Sequence, residues 1–291
     1  MRILILGSSG ILGHTLFMFL QNIKSNKVMG LCSENSRGTF FYQKYRKSLV
    51  LIDLKDFNLV LKFIEDYKPD VVVNCAVKKI FTENSNLSNI LINSVLPQQL
   101  SEWALKFSYK FVHISTDSVF GDNFKNKAEL DRTLANDLYS ASKMLGEPKN
   151  ENTLVIRTSL IGHSLHFSDG FLNTVLSSKQ FTGFSGMVFT GTTALELSSL
   201  IYRLVTLSTE VSGVYHIAGQ EISKYDLVKL ICKVYSLDIE ITESKDYKSK
   251  RILSSKKLEN ALNYQPQEWL DLLNNTKSFY YSNSDIYEKK L

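Results

Sequence analysis

The chain has 291 residues, 44% hydrophobic and 22% charged, with a formal net charge of +5. That is globular composition with enough apolar residues for a sizeable core, and no apolar run reaches the ~18 residues of a membrane span. Three cysteines without a CxxC argue against a disulfide framework or zinc ribbon and fit a reducing cytoplasm; the mild positive charge suits an anionic small molecule and gives little case for nucleic acid.

Met1–Leu6 reads as a short apolar strand, too short for a signal-peptide core. It runs into Gly7-Ser8-Ser9-Gly10-Ile11-Leu12-Gly13 and then a helix, Leu12–Ile23. Strand, glycine turn and helix in that order hold the pyrophosphate of a dinucleotide. Gly7 permits the turn, Gly10 lets backbone approach phosphate, Gly13 lets the helix press on the sheet, and the helix N-terminus offers N–H donors.

Further strands are expected at Lys27–Cys32, Ser48–Ile52, Val71–Cys75, Lys110–Ile114 and Thr153–Ile156. Helical patterns at Phe57–Tyr67, Asn93–Phe107 and Ser140–Gly146 lie between them. This alternation predicts an α/β fold, a doubly wound parallel (Rossmann) sheet, over residues 1–160. After about Ile161 the rhythm changes. A helix at Ala194–Val205, a strand at Gly213–Ala218 and a helix at Lys224–Tyr235 suggest a smaller mixed α/β substrate domain over 161–291, part of 187–219 packing back on the first. The Lys250–Lys257 charge run reads as solvated surface.

Which nicotinamide cofactor fits is read at the end of the second strand, where an acidic residue would favour NAD. Here Ser33, Ser36 and Arg37 can receive a 2′-phosphate and Glu34 opposes it; NADP is expected, with NAD the alternative.

His113-Ile114-Ser115-Thr116-Asp117-Ser118 is a strand ending in hydroxyls, at the sheet edge where ligands bind. Thr116 either orients a substrate carbonyl or caps the next turn, and Asp117 is either a cap or a polar substrate contact. Tyr139 and Lys143 form a YxxxK motif, and i,i+4 spacing puts both on one helix face. The ammonium should favour the phenolate, giving an acid that protonates a carbonyl oxygen as hydride arrives. A second copy, Tyr225 to Lys229, has no hydroxyl-rich strand before it and reads as structural. His14, His113, His163, His166 and His216 show no metal spacing, and no metal is expected. His113 and His216 read as core groups. His163 and His166 lie where substrate is expected, and one of them is a candidate sugar or phosphate contact.

With these motifs the chain resembles an extended short-chain dehydrogenase/reductase of the dTDP-4-dehydrorhamnose reductase family. The likeness rests on Gly7 to Gly13, Pro69 to Ala76, Asn93, Ser115-Thr116-Asp117-Ser118-Val119-Phe120, Tyr139 to Lys143 with Gly146-Glu147, Arg157-Thr158-Ser159 and Gly213 to Gly219. The resemblance implies an NADPH-dependent reductase of a nucleotide-linked 4-keto-6-deoxy sugar in surface polysaccharide synthesis, with Thr116, Tyr139 and Lys143 as catalytic set. It implies that Lys143 also holds the nicotinamide ribose, that Asp53 and Leu54 contact the adenine side, that Cys75, Ala76 and Val77 line the cofactor with Ser9, Ile11 and Leu12, and that Asn93 supports the site. It further implies substrate contacts at Ser115, Asp117, Ser118 and Asn173. Alternatives are an epimerase or dehydratase of the same superfamily, or a dinucleotide-binding regulatory subunit without turnover. A homodimer is the assembly considered.

Overall fold

The computed structural model describes residues 1–79, 85–166, 170–207 and 211–288. Its centre is a seven-stranded sheet: β1 (Arg2–Leu6), β2 (Lys27–Cys32), β3 (Leu49–Leu51), β4 (Val71–Asn74), β5 (Lys110–Ile114), β6 (Thr153–Thr158) and β7 (Gly213–Ile217). The spatial order is β3-β2-β1-β4-β5-β6-β7 and every pairing is parallel. This is the doubly wound Rossmann arrangement, and its order reverses between β1 and β4, the point where such sheets bind ligands.

Period-two alternation explains the two covered faces. Ile3 and Ile5 of β1 point to one side, among Leu16 and Phe17 of α1 (Ile11–Gln21) and Leu197 and Ile201 of the helix Ala194–Thr206. Leu4 and Leu6 point to the other side, among Val60 and Ile64 of α2 (Phe57–Tyr67) and Leu96 and Leu100 of α3 (Leu96–Phe107). Each such buried Leu or Ile contributes about 1.5–3 kcal/mol before entropy is charged against it. Helix ends follow local chemistry: Asp56 caps α2 by accepting from the Leu59 N–H, and Lys68 (φ 50°) ends it in the left-handed region.

The expected helix Asn93–Phe107 begins differently. Leu91–Val95 is a turn of π-helix, and regular helix starts at Leu96, with Pro97 in its first turn. α4 (Leu138–Leu145) carries the YxxxK motif; Asp137 caps it, accepting from the backbone N–H and the hydroxyl of Ser140, both at 2.8 Å. A four-stranded sheet joins Ile222–Ser223, Met187–Phe189, Ser249–Leu253 and Asn123–Lys127. Its last strand comes from the segment between β5 and α4, so chain before residue 160 pairs directly with chain after it. A separate cluster of Leu172, Leu227, Ile231, Trp269 and Leu273 packs this region. No described helix is long and apolar enough to cross a membrane.

Candidate active site

The glycine turn leaves β1 with Gly7 at φ 72°. A Cβ there would stand 2.7 Å from the Ala76 backbone, and one on Gly13 would stand 2.1 Å from the Gly7 carbonyl, so both are fixed by the chain's own packing. Gly10 differs: a Cβ on it would meet nothing nearer than the Gly7 oxygen at 3.4 Å. It is exposed and starts α1 without a side-chain cap. A bare backbone before an uncapped helix N-terminus fits a pyrophosphate, so the residues present are suited to a dinucleotide.

Around this turn the other sequence-derived cofactor residues divide. Ala76 packs on Gly7, with Cys75 before it and half-exposed Val77 after it. Ile11 lies under Gly162 and Gly170, where added Cβ atoms would come within 2.9 and 2.7 Å of it. Ser9 is half-buried, and Leu12 belongs to the core. Ser33 is exposed at the end of β2 and starts the 3-10 turn Glu34–Gly38. Arg37 on that turn is paired with Glu34, and both side chains are largely in solvent. Asp53 lies beyond β3, holding Lys55 through its backbone (3.0 Å) and ammonium (3.2 Å), while Leu54 packs on the core.

Asn93 is fully buried and works as a strut. Its amide oxygen accepts from the Lys78 N–H (2.9 Å), and its nitrogen donates to the Lys78 carbonyl (2.7 Å) and Ser142 hydroxyl (3.0 Å). The π-turn thereby ties the loop after β4 to α4. Gly146 at the end of α4 lies so close that a Cβ would stand 1.9 Å from the Asn93 carbonyl.

Thr116, Tyr139 and Lys143 do not converge as spacing suggests. The Thr116 side chain accepts from the Ser118 N–H (3.2 Å) and pairs with the Ser118 hydroxyl (2.6 Å), so it does cap the 3-10 turn Asp117–Phe120. It also faces the Tyr139 phenol and draws its pKa down, against burial, Asp117 and Asp137, which push it up; the net position is about 12. The expected lowering by Lys143 is corrected. Lys143 is buried, its Nζ donates to the Ile114 carbonyl at 2.7 Å, and it stands 3.3 Å from His113 Nε2. Residues i and i+4 share a helix face, yet these two long side chains end in different places: the phenol beside Thr116, the amine against β5. Burial brings Lys143 down to about 8, opposed by Glu147 and Cys75 and assisted by Lys79. Burial raises the Cys75 thiol to about 12.

Of the residues expected at the substrate, Ser115 donates to Glu147 at 2.5 Å, and Glu147 in turn holds Arg157. Asn173 is buried and accepts from the Ser164 N–H at 3.1 Å. Both therefore brace loops. Asp117 is buried beside Tyr139; burial raises its carboxyl pKa, while Arg251, Thr116 and Lys224 pull it back.

Arg251 and Lys224 were not found from sequence. Arg251 Nη1 lies 4.0 Å from Asp117, and its other nitrogen pairs with Asp122. It stands inside the charge run expected to be solvated, which is corrected for this residue: strand pairing from Ser249 to Leu253 aims it at the hydroxyl-rich turn. Lys224 lies 4.3 and 4.0 Å over the Phe171 and Phe189 rings, and burial lowers it to about 8. The neighbouring second YxxxK copy makes a cation–π contact, with Lys229 at 5.1 Å over Tyr225.

His163 and His166, the candidate sugar or phosphate contacts, are engaged with other side chains. His163 is buried, stacked on Tyr280 at 4.1 Å and bonded to the Tyr235 hydroxyl at 2.7 Å; His166 pairs with Glu288 at 2.7 Å. Among the described residues no cluster of three His, Cys, Asp or Glu side chains could hold a metal.

The family profile described as RmlD substrate binding domain matches residues 1–278. A dTDP-4-dehydrorhamnose reductase of Aggregatibacter actinomycetemcomitans is 24% identical over 311 residues, covering 96% of this chain and 99% of that protein. Methionine adenosyltransferase 2 subunit beta of Xenopus tropicalis is 24% identical over 254 residues, covering 81% of this chain and 72% of that one. The crystal structure of a dTDP-4-dehydrorhamnose reductase from Bacillus anthracis in complex with NADP superposes with a TM-score of 0.78 at 20% identity, over 95% of this chain and 98% of that chain; at such identity the likeness is one of fold.

Proposed function

The chain belongs to the RmlD substrate binding domain family, and from that premise we propose that it is an NADPH-dependent reductase of a nucleotide-linked 4-keto-6-deoxy sugar. The observation behind this reading is the Tyr139 phenol beside Thr116, which follows β5 at the C-terminal ends of the parallel strands, on the same side as the Gly10 turn.

When bound, a reduced nicotinamide supplies the hydride that reaches the keto carbon. Tyr139, held at about 12, keeps its proton at neutral pH. It yields that proton to the carbonyl oxygen as an alkoxide, a stronger base than the phenolate, develops there. Ketone becomes alcohol, and Thr116 orients the oxygen. Lys143 lies beneath, with Nζ on the Ile114 carbonyl, and would hold the hydroxyls of a bound ribose. Arg251 and Lys224 supply the positive charge for the anionic diphosphate. Arg37 exchanges Glu34 for a 2′-phosphate, which selects NADPH. On this reading residues 1–160 bind the dinucleotide and 161–291 the sugar nucleotide, and the enzyme works in the cytoplasm.

A second reading, a dinucleotide-binding subunit without turnover, is favoured by the matches to methionine adenosyltransferase 2 subunit beta. One assay separates them: purified protein, NADPH or NADH, and dTDP-, GDP- and UDP-linked 4-keto-6-deoxy sugars, followed at the nicotinamide absorbance. Oxidation of NADPH that Tyr139→Phe abolishes supports the reductase. Tight cofactor binding with none of the sugars reduced supports the subunit.

A further inference from the structure

His113 is fully buried on β5, and the mechanism above gives it no task. Both of its ring nitrogens have defined neighbours. Asn74, the last residue of β4, accepts from the Ala76 N–H through its oxygen at 3.1 Å, which fixes the amide's orientation. Its nitrogen then faces His113 Nδ1 at 3.3 Å and donates to it. Nδ1 must carry a lone pair, so the neutral ring bears its proton on Nε2. That Nε2–H points at Lys143 Nζ, 3.3 Å away. An ammonium has three donors and no lone pair, so Nε2–H against it is donor facing donor. A neutral amine has the lone pair that Nε2–H needs, and still donates to the Ile114 carbonyl at 2.7 Å.

We infer that Asn74 and His113 form a positioning pair that loosens the hold of Lys143 on its proton in the unliganded chain. The charges acting on this group fit the geometry. Glu147 and Cys75 favour the ammonium, Lys79 opposes it, and burial outweighs them, bringing Lys143 to about 8. Burial and Lys143 together keep His113 from becoming an imidazolium. Lys143 then holds its proton more firmly once a ligand oxygen replaces His113 as its partner, so occupancy of the site and the charge beneath it are linked. This rests on the catalytic assignment of Lys143; its test does not.

The test is NMR of the full unliganded chain, free of cofactor and substrate. Long-range imidazole nitrogen spectra should show His113 with the proton on Nε2 at every pH from 6 to 9. Lysine labelled at the ε-carbon reports Lys143, assigned with Lys143→Arg. In Asn74→Ala the ring is free to move its proton to Nδ1, and the Lys143 midpoint should rise by about one pH unit, a tenfold change in its ionisation constant. His113→Phe should raise it similarly, and adding Asn74→Ala to that variant should change nothing more. A native His113 protonated on Nδ1, or as imidazolium, overturns the inference without any variant having to fold. An unchanged or lower Lys143 midpoint in Asn74→Ala does the same. Failure of the reductase assay with these spectra intact would sink the function and leave the pair standing.

Discussion

Glu147 and Arg157 close a bidentate pair, with guanidinium nitrogens 2.7 and 2.9 Å from the two carboxylate oxygens and both side chains only 7% exposed. Glu147 follows α4, Arg157 lies on β6, and Ser115 donates to the same carboxylate. The pair thus fixes the end of α4 against the hydroxyl-bearing turn. Removing one partner leaves the other charge buried alone, which costs about 3–5 kcal/mol. Arg157→Leu should therefore lower the thermal midpoint far more than Arg132→Leu at an exposed position. Equal melting of the two variants would refute the brace.

The two glycine roles make opposite predictions. Gly10→Ala places a methyl in open space, 3.4 Å from its nearest neighbour, and should leave the melting temperature within a degree or two while weakening NADPH binding. Gly13→Ala drives a methyl to 2.1 Å from the Gly7 carbonyl and should destabilise the fold itself. Fluorescence titration and thermal melts read both. Full NADPH affinity in Gly10→Ala would argue against phosphate at that turn.

Tyr139→Phe removes the proton donor and little else. Turnover should fall by about 10²–10⁴, with NADPH affinity within threefold of the parent. A variant that reduces substrate at the parent rate would show that another group, such as the nearby Asp117, delivers the proton.

Arg251→Gln should raise KM about 10- to 100-fold, the worth of a charge-assisted hydrogen bond to phosphate, with kcat less affected. The same change takes away a cation that holds the Asp117 carboxyl down, so the Asp117 pKa should move further up. A KM unchanged across the sugar-nucleotide panel would remove Arg251 from the diphosphate site.

Acid should unfold the chain through its buried histidines, His14, His113, His163 and His216, all of which burial holds below the ordinary range. Burial holds His14 at about 4 and His163 at about 3, against an ordinary 6.5. Between pH 6.5 and these values the unfolded chain binds protons that the folded chain does not, so stability falls as pH drops through this range. His14 alone accounts for a loss on the order of 3 kcal/mol. Urea midpoints across pH 7 to 4 should show the slope, and His163→Phe should flatten it. A parent protein equally stable at pH 7 and pH 4 would contradict this.

Much of the sheet was legible because it depends on local pattern. Lys27–Cys32, Lys110–Ile114, Phe57–Tyr67 and Lys224–Tyr235 stand where apolar period and turn residues place them. Ser48–Ile52 shortened to Leu49–Leu51 because only three residues pair with β2 at the sheet edge. Arg251 was lost among lysines, since a charge run carries no mark of which member a strand will turn inward. The partners of His163 were not legible because Tyr235 and Tyr280 lie far along the chain.

The sequence by itself determined the strand–turn–helix that opens the fold, the period of the buried strands and the residue types at the site, since these follow from side chains a few positions apart. Tertiary structure alone decided where long side chains end. Tyr139 and Lys143 share a helix face, yet desolvation and hydrogen bonding send the phenol to Thr116 and the amine to Ile114 and His113. Charge in a buried site is set by such partners, brought together by strands distant in sequence, and spacing along one helix cannot specify them.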